Sequence, residues 1–214
     1  MRLYRSMDLR ASILVFSLFQ LATSLVVNEV PGQVTLSNPK YGAFEEMRKL
    51  LKKADIIDGI VDDFTPKCFV SPSYNGIEVE YGSHFNTSDT QNKPAVMISC
   101  PKKSFKGLTL VLTDPDAPSR ENPKWGEMCH WIATASSTGL KRVVDYKAPE
   151  PPAKTGYHRY VFLLLEGENG KLEAPDDRQH WGTGKSGHGV RDWAKAQGLR
   201  VVGGNFFFEQ NEEQ

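Results

Sequence analysis

Stretches in which apolar and polar residues alternate dominate the middle and the end of the chain. Ile77–Tyr81 and Leu108–Asp114 have an apolar residue at every second position, and Tyr157–Leu165 is a long aromatic and aliphatic run. Arg200–Phe208 is a further apolar stretch, and it contains the glycine pair Gly203-Gly204. A period of two is typical of β-strands, and glycines inside a strand indicate a bulge. We therefore predict strands at these places, with a β-bulge in the last.

Two other stretches have helical spacing. The first follows Asn38-Pro39, and its apolar residues recur three and four positions apart, which forms one face from Phe44, Met47, Leu50 and Leu51. The second lies between Gly187 and Gly198. Strands outnumber helices and do not alternate with them in a regular order. The chain is therefore predicted to be mainly β (α+β), with an antiparallel core and peripheral helices.

Residues 1–27 differ from the rest of the chain. Three arginines precede an apolar run at residues 11–27, and small residues stand at Ala22 and Ser24, in the pattern of a secretory signal peptide. The run is too short and too interrupted to predict a membrane span. The alternatives are a disordered or mitochondrial leader, or residues upstream of a later start at Met7. We predict a leader at residues 1–27 and a single domain at residues 28–214.

Localisation depends on this leader. If residues 1–24 are a cleaved signal peptide, the protein enters the secretory pathway, and otherwise it is cytoplasmic. The sequon Asn86-Thr87-Ser88 fits secretion.

Composition excludes several classes of protein. The chain has 214 residues, which suits one domain, and its 26 basic and 26 acidic residues balance, so no nucleic-acid partner is expected. Its three cysteines, Cys68, Cys100 and Cys129, allow at most one disulfide, and the absence of a CxxC motif excludes a zinc ribbon.

The densest chemical signal follows the predicted strand Leu108–Asp114. The strand ends at Asp114-Pro115-Asp116-Ala117-Pro118, where the prolines stiffen the chain and bring two carboxylates close together. Arg120 follows closely, and pairing with one of these carboxylates is predicted. His130 begins the next apolar run.

A second signal precedes the apolar run at Tyr157–Leu165. A Pro/Gly turn that includes Pro152 leads into this strand, in which His158 and Tyr160 share one face. Two strand ends that each carry a histidine, together with the two aspartates, predict one pocket at the edge of a sheet.

Such a pocket suits an anion. Two protonated imidazoles that are oriented by aspartates would donate hydrogen bonds to a phosphate group. The structural alternative is that these residues only cap strand turns. A metal site has the right residue types but no HxH or HExxH spacing. A hydrolase is not supported, because residues 184–188 lack the last glycine of a G-x-S-x-G elbow, although His130 or His158 as a general base stays a third hypothesis.

In these two segments the sequence resembles the phosphatidylethanolamine-binding protein family. The motifs that carry the resemblance are Asp114–Arg120 with the trailing His130, and Gly156–Leu164. The similarity runs from about Tyr41 to Phe208, and features such as Asp62–Pro66 resemble the fungal branch, which includes carboxypeptidase Y inhibitors. The resemblance implies a large antiparallel sheet packed on a smaller sheet, with flanking helices. It also implies a ligand pocket, formed by Asp114, Asp116, Trp125, His130, Pro152, His158 and Tyr160, with Arg120 as a structural clamp.

The resemblance further implies a protein that binds and does not catalyse. We expect a monomer without cofactor or metal that binds phosphate or a phospholipid headgroup and modulates a protein partner. A serine carboxypeptidase is the expected target, and the alternative is a phosphatidylethanolamine headgroup carrier or sensor. The C-terminal helix of the animal members has no counterpart after Phe208, so pocket closure is expected to differ.

Overall fold

The computed structural model describes residues 34–35, 43–101, 105–182 and 188–213. Within them the chain forms ten strands, two α-helices and one short 3-10 helix. In chain order these are β1 (Val34–Thr35), α1 (Ala43–Lys53), β2 (Phe69–Tyr74), β3 (Ile77–Glu78), β4 (Ser83–Asn86), the 3-10 helix (Thr87–Asp89), β5 (Ala95–Ser99), β6 (Leu108–Asp114), β7 (Met128–Ser136), β8 (Gly139–Val144), β9 (His158–Glu166), α2 (Val190–Ala196) and β10 (Arg200–Gln210).

The strands form two sheets. The larger sheet has six strands in the order β4-β10-β9-β6-β7-β8, and the smaller has four in the order β1-β5-β2-β3. Neighbouring strands are antiparallel except β4–β10 and β1–β5, which are parallel pairs at one edge of each sheet. The predicted mainly β fold of two sheets with peripheral helices is therefore confirmed, and each sheet has one parallel edge that the sequence pattern did not indicate.

The larger sheet is covered on both faces. On one face it packs against the two helices, in a core that includes Met47 and Leu51 of α1 and Trp193 of α2. On the other face it packs against the smaller sheet, in a core that includes Val70 and Ile98. Because both faces are buried, the central strand β9 is a continuous apolar run from Tyr160 to Leu165, and in β6 even Thr109 and Thr113 are buried.

Successive residues of a strand face opposite cores, and this rule positions the site. Val161, Leu163 and Leu165 of β9 belong to the helix-side core, whereas Tyr160, Phe162 and Leu164 belong to the core beneath the smaller sheet. We call these two sides of the larger sheet the helix face and the small-sheet face. His158 therefore starts the small-sheet series, as predicted, and Arg159 starts the helix-face series.

Local details both confirm and correct the strand predictions. The bulge predicted at Gly203-Gly204 is confirmed, since the register of β10 on β9 shifts between Val201 and Gly203. The strand predicted over Ile77–Tyr81 is shorter, because only Ile77–Glu78 pairs with β2, and Ile77 is exposed. The start of the first helix at Asn38-Pro39 and the predicted leader lie outside the described residues.

One disulfide joins Cys68 and Cys100, which flank the paired strands β2 and β5 of the smaller sheet. Cys129 is free and buried in the helix-side core. This agrees with the expectation of one bridge at most. No helix among the described residues is long and apolar enough to cross a membrane.

Candidate functional site

Ionisable side chains form a row across four adjacent strands of the larger sheet. Glu209 lies on β10, directly opposite His158 on β9. Asp114 ends the next strand, β6, and His130 lies on β7 after it. His130 is displaced by a bulge, because Thr113 pairs with Cys129 while Leu112 pairs with Trp131. The structure thus brings the two histidine-bearing strand ends and the aspartate turn together at one sheet edge, as the sequence predicted.

The Asp116 carboxylate is hydrogen-bonded to another part of the protein and has a structural role. It is 1% exposed, and its two carboxylate oxygens accept three hydrogen bonds from Arg159: from the backbone N–H at 2.8 Å, from Nε at 2.9 Å and from Nη2 at 2.6 Å. Nη1 of Arg159 donates to the carbonyls of Ala54 and Asp55, just after α1. Burial opposes the charged guanidinium, but the bonds to Asp116 outweigh it and raise the pKa of Arg159. This buried pair ties the aspartate turn to the helix layer.

The prediction that Arg120 is the structural clamp of the aspartate turn is therefore wrong. Arg120 does not pair with the aspartates of the turn, because its guanidinium lies 3.7 Å from Asp55 and nearly half of its side chain is exposed. Arg159 instead forms the pair with Asp116, because it faces the helix layer at the start of β9, whereas Arg120 lies on an exposed loop.

Asp114 holds His158 in its charged form. The Asp114 carboxylate accepts the backbone N–H of Asp116 at 2.8 Å and lies 2.9 Å from Nδ1 of His158. Nε2 of His158 lies 3.0 Å from the Thr155 hydroxyl, which itself donates to the Pro152 carbonyl at 2.7 Å. With the Thr155 proton directed at the Pro152 carbonyl, Nδ1 and Nε2 of His158 can both donate, to Asp114 and to Thr155, which is the imidazolium form. Burial acts against this charge, but the hydrogen bond with Asp114 outweighs it and raises the pKa of His158.

Thr155, His158 and Asp114 have the connectivity of a hydrolase triad, but their protons are in the wrong places for one. A general base must take a proton from the hydroxyl, and His158 already carries two. The arrangement is therefore a hydrogen-bonded support for the turn before β9 and is not a nucleophile with its base. Cys129 offers no alternative, because burial raises the pKa of its thiol to about 12.

His130 is in the opposite state. Its Nδ1 lies 2.9 Å from the Lys147 carbonyl, which can only accept, so Nδ1 carries the proton. Burial lowers the pKa of His130, and the ring is neutral at neutral pH. Nε2 is then a bare acceptor, and it is buried without a hydrogen-bond partner in the described part of the chain. The hypothesis that both imidazoles are protonated is therefore wrong for His130.

Glu209 is a member of the row that the sequence analysis missed. It is 0% exposed, and one carboxyl oxygen lies 2.8 Å from the Thr90 hydroxyl, while the other, Oε1, has no partner among the described residues. Burial, assisted by the nearby Asp89 and Asp114 charges, raises the pKa of Glu209 to about 8. The register of β10 on β9 was the signal that would have placed it, and sequence alone does not give that register.

Tyr160 lies on β9, between the strands that carry Glu209 and His130. Its ring is edge-on to His130, with 5.2 Å between the centroids, and is stacked on Phe207 of β10 at 5.2 Å. Burial raises the pKa of the Tyr160 hydroxyl well above its ordinary value, so the hydroxyl stays protonated. It adds a neutral polar group to an otherwise aromatic wall.

The other predicted site residues lie at the rim. Pro152 is exposed and contributes its carbonyl to Thr155. Trp125 is 44% exposed. Its ring is edge-on to His180 and within 5.1 Å of the Lys124 ammonium. Their contribution to ligand binding stays a prediction.

A second buried carboxylate lies on the helix face. Glu127 accepts the Thr113 hydroxyl at 2.9 Å and the backbone N–H groups of Gly189 and Val190 at the start of α2. Burial raises its pKa to about 7, although these bonds oppose the shift. Glu127 thus joins α2 to the strand end below the aspartate turn.

An open groove on the helix side is a different feature. Its volume is about 430 Å³, and its lining includes Asp62, Asp63 and Arg191. Its charged groups lie close to opposite charges, since Arg191 lies 3.2 Å from Asp62, and Asp63 is hydrogen-bonded to Arg48. Nothing in its geometry singles out a ligand.

Taken together, the row is a set of buried polar groups, and among the described residues it contains no hydroxyl or thiol arranged as an activated nucleophile. Within the described ranges, no three of the residue types His, Cys, Asp and Glu cluster in a way that could hold a metal ion. The fold and the site thus define a β-sheet protein with a buried row of polar side chains at one edge of its larger sheet. Comparison with known proteins makes this class specific.

The chain belongs to the phosphatidylethanolamine-binding protein family, whose sequence profile matches residues 71–207. It is 30% identical to the carboxypeptidase Y inhibitor of Saccharomyces cerevisiae, over 75% of this chain and 93% of the inhibitor. It is also 34% identical to TERMINAL FLOWER 1 of Arabidopsis thaliana, over 61% of this chain and 76% of that protein. The resemblance identified from the motifs is thereby confirmed.

Solved structures agree with this assignment. The fold matches the crystal structure of carboxypeptidase Y inhibitor complexed with its cognate proteinase, with a TM-score of 0.71 and 30% identity over 78% of this chain and 96% of that chain. The phosphatidylethanolamine-binding protein from Plasmodium vivax matches with a TM-score of 0.63 at 19% identity, over 78% and 98% of the two chains. This second match supports the fold alone.

Proposed function

We propose that this protein is a non-enzymatic inhibitor of a serine carboxypeptidase that also binds a phosphate-like anion at the edge of its larger sheet. The observation that carries the inhibitor role is the similarity to the carboxypeptidase Y inhibitor, which extends over 93% of that protein in sequence and 96% in structure. An inhibitor needs a complementary surface and no turnover, which agrees with a site whose histidines are a buried imidazolium and a neutral acceptor.

The inhibitor role is tested with the full chain and yeast carboxypeptidase Y. Hydrolysis of a peptide substrate is followed at equimolar inhibitor, with an endopeptidase such as trypsin as the control enzyme. We expect loss of carboxypeptidase activity and no effect on the control enzyme. Full carboxypeptidase activity at a large molar excess of the protein would contradict the proposal.

Anion binding is supported by a separate observation. The site contains buried polar atoms without partners, and the Lys147 and Arg178 charges lie close enough to affect the pKa of His130. These two positive charges would attract a small oxyanion, and the nearby Asp114 carboxylate opposes that attraction. Calorimetric titration with inorganic phosphate and phosphorylethanolamine tests this role, and binding by neither compound would remove it while leaving the inhibitor role intact.

A lipid-headgroup carrier is the second candidate function. The same buried polar site supports it, because a phospholipid headgroup presents the same phosphate chemistry. We expect sedimentation with vesicles to increase with their phosphatidylethanolamine content. Equal binding to phosphatidylcholine vesicles would contradict this function.

A further inference from the structure

Two polar atoms of the site are buried and lack partners. Of the five such side-chain atoms in the described residues, His130 Nε2 and Glu209 Oε1 belong to the row across the sheet. Buried polar groups in folded proteins are nearly always hydrogen-bonded, and each exception calls for an explanation. The unpartnered Nε2 of His130 indicates that a ligand completes the row at that strand, and Glu209, three strands away on β10, is in a position to act on such a ligand through its charge.

The geometry at His130 restricts how an anion can bind. Nδ1 must keep its proton, because its neighbour is the Lys147 carbonyl at 2.9 Å. Nε2 of the neutral ring is therefore an acceptor, and it cannot form a hydrogen bond with a fully deprotonated oxyanion, which only accepts. A proton has to be added, either to His130 or to the ligand, when the two meet.

Glu209 sets a second condition from the other end of the row. It lies opposite His158 in the β9–β10 register, on the small-sheet face with Tyr160 and Phe207. An ionised carboxylate there would repel an arriving anion, since charges interact over several ångströms in a poorly solvated site. A protonated Glu209 removes this repulsion and leaves Oε1 able to accept or donate a hydrogen bond.

We propose that this row is a proton-linked site for a tetrahedral oxyanion of the phosphate class, in which binding brings one proton to His130 and requires that Glu209 also carry a proton. This inference rests on the anion-binding part of the proposed function and extends it to a mechanism of pH control. The proton comes from solvent, and no covalent bond is made or broken. Affinity therefore rises as pH falls.

The groups around each titrating side chain agree with this scheme. His130 is influenced by the carboxylate of Asp114 on β6 and by the positive charges of Arg178 and Lys147, and it contacts the Tyr160 ring on β9. An added anion joins Asp114 in favouring imidazolium and opposes the two positive charges.

Around Glu209, the neighbouring groups come from several elements: Asp89 of the 3-10 helix, Thr90 after it, Asp114 of β6 and His158 of β9. The pKa values of Tyr74, Tyr146 and Tyr160 are in turn influenced by the charge of Glu209. Burial is the main cause that raises the pKa of Glu209; Asp89 and Asp114 add to it, and the Thr90 hydrogen bond and the charge of His158 oppose it.

The test is calorimetric titration of the full chain with sulfate from about pH 6 to about pH 9, a range in which sulfate keeps its charge. Repeating each titration in two buffers of different ionisation enthalpy counts the protons taken up. Below about pH 8 we expect close to one proton per sulfate and an affinity that falls about tenfold per pH unit. Above about pH 8 Glu209 must also gain its proton, so uptake should rise toward two protons and the affinity should fall toward about a hundredfold per pH unit. Inorganic phosphate at acidic pH brings its own proton, so we expect it to take up fewer protons than sulfate.

Two isosteric variants isolate the two groups. In His130→Asn the amide nitrogen can replace Nδ1 as donor to Lys147 but nothing replaces Nε2, so we expect proton uptake and tight sulfate binding to be lost in a folded protein. In Glu209→Gln the side chain is always neutral, so we expect sulfate binding to persist and its loss above about pH 8 to shrink about tenfold. His188→Asn and Glu213→Gln, both exposed, are the matched controls and should behave as the wild type.

Every outcome of these titrations is decisive. Sulfate binding with no proton uptake, or with a pH profile unchanged in His130→Asn and Glu209→Gln, overturns the inference and leaves the proposed anion binding standing. No binding of sulfate or phosphate at any pH overturns both. Vesicles of phosphatidylethanolamine that displace sulfate assign the site to a lipid headgroup, and failure to displace it assigns the site to a soluble anion.

Discussion

The two faces of one sheet edge differ in how completely their polar groups are satisfied. On the helix face, Asp116 and Arg159 form a buried pair in which the carboxylate accepts three bonds and the guanidinium also reaches two helix-end carbonyls. On the small-sheet face, His130 and Glu209 each keep a buried atom without a partner in the described part of the chain. The two sets of residues lie at the same end of neighbouring strands: Arg159 begins β9 and Asp116 follows β6, whereas His130 lies on β7 and Glu209 on β10.

This difference suggests that the polar groups of the helix face serve stability and those of the small-sheet face serve binding. A closed network is stable only when every member is hydrogen-bonded, and removing one member leaves a buried charge. An open network instead leaves a free-energy deficit that a ligand can remove. We therefore expect the helix face to respond to mutation mainly in stability and the small-sheet face mainly in binding.

The largest expected effect is on the closed face. Arg159→Met leaves Asp116 buried and uncompensated, and should lower the free energy of unfolding by about 3–5 kcal/mol. The matched control is Arg120→Met, where the exposed pair with Asp55 should contribute less than about 0.5 kcal/mol. Urea unfolding of the full chain measures both, and equal effects would contradict the assignment of Arg159 as the clamp.

The second effect is a pH dependence of stability. The folded-state pKa of Glu209 is raised to about 8 and that of Glu127 to about 7, above their ordinary value of 4.5. The folded state therefore binds these protons more tightly than the unfolded state, so their contribution is complete at acidic pH and is lost as pH rises through 7 and 8.

Between about pH 5 and about pH 9 we expect the free energy of unfolding to fall by up to about 4 kcal/mol from Glu209 and up to about 3 kcal/mol from Glu127, at about 1.4 kcal/mol per pH unit for each group. Urea unfolding at a series of pH values measures this loss. Glu209→Gln should show a smaller loss than the wild type, and a profile parallel to that of the wild type would show that Glu209 is ionised in the folded protein.

A smaller effect compares the two histidines. His158→Asn removes the charged partner of Asp114 and should cost about 2 kcal/mol, whereas His130→Asn keeps the bond to Lys147 and should cost less than about 1 kcal/mol. Thermal unfolding near neutral pH measures both variants. Greater destabilisation by the His130 variant would contradict the interpretation that His158 supports the fold and that Nε2 of His130 has no partner in the described part of the protein.

The smallest effect concerns the link from the open face to the smaller sheet. The Tyr146 hydroxyl donates to the Thr90 carbonyl and lies 3.3 Å from the Tyr74 hydroxyl. Tyr146→Phe should cost about 1 kcal/mol, the value of a typical hydrogen bond. Unfolding in urea measures this change. A loss of stability as large as that of Arg159→Met would show that the tyrosine pair, and not the Asp116–Arg159 pair alone, holds the site together.

Much of the fold and of the site was predictable from the sequence. The alternating and apolar runs predicted the strands β6, β9 and β10, and the shared face of His158 and Tyr160 followed from the two-residue period. The two motifs also indicated correctly that Asp114, His130 and His158 meet at one edge. Local spacing was misleading at Arg120, because nearness in sequence suggested a pair that the opposite face of β9 supplies through Arg159.

The sequence by itself determined which residues are strand-forming, which strand ends carry ionisable groups, and the family to which the chain belongs. Only the tertiary structure decided the state of those groups, because protonation depends on partners far away along the chain. The Lys147 carbonyl makes His130 an acceptor, and the Thr155 hydroxyl and Asp114 make His158 a cation. The pairing of β10 with β9 buries Glu209 beside His158. Burial and hydrogen-bond direction arise from the packing of distant segments, so they cannot be predicted from the local sequence pattern.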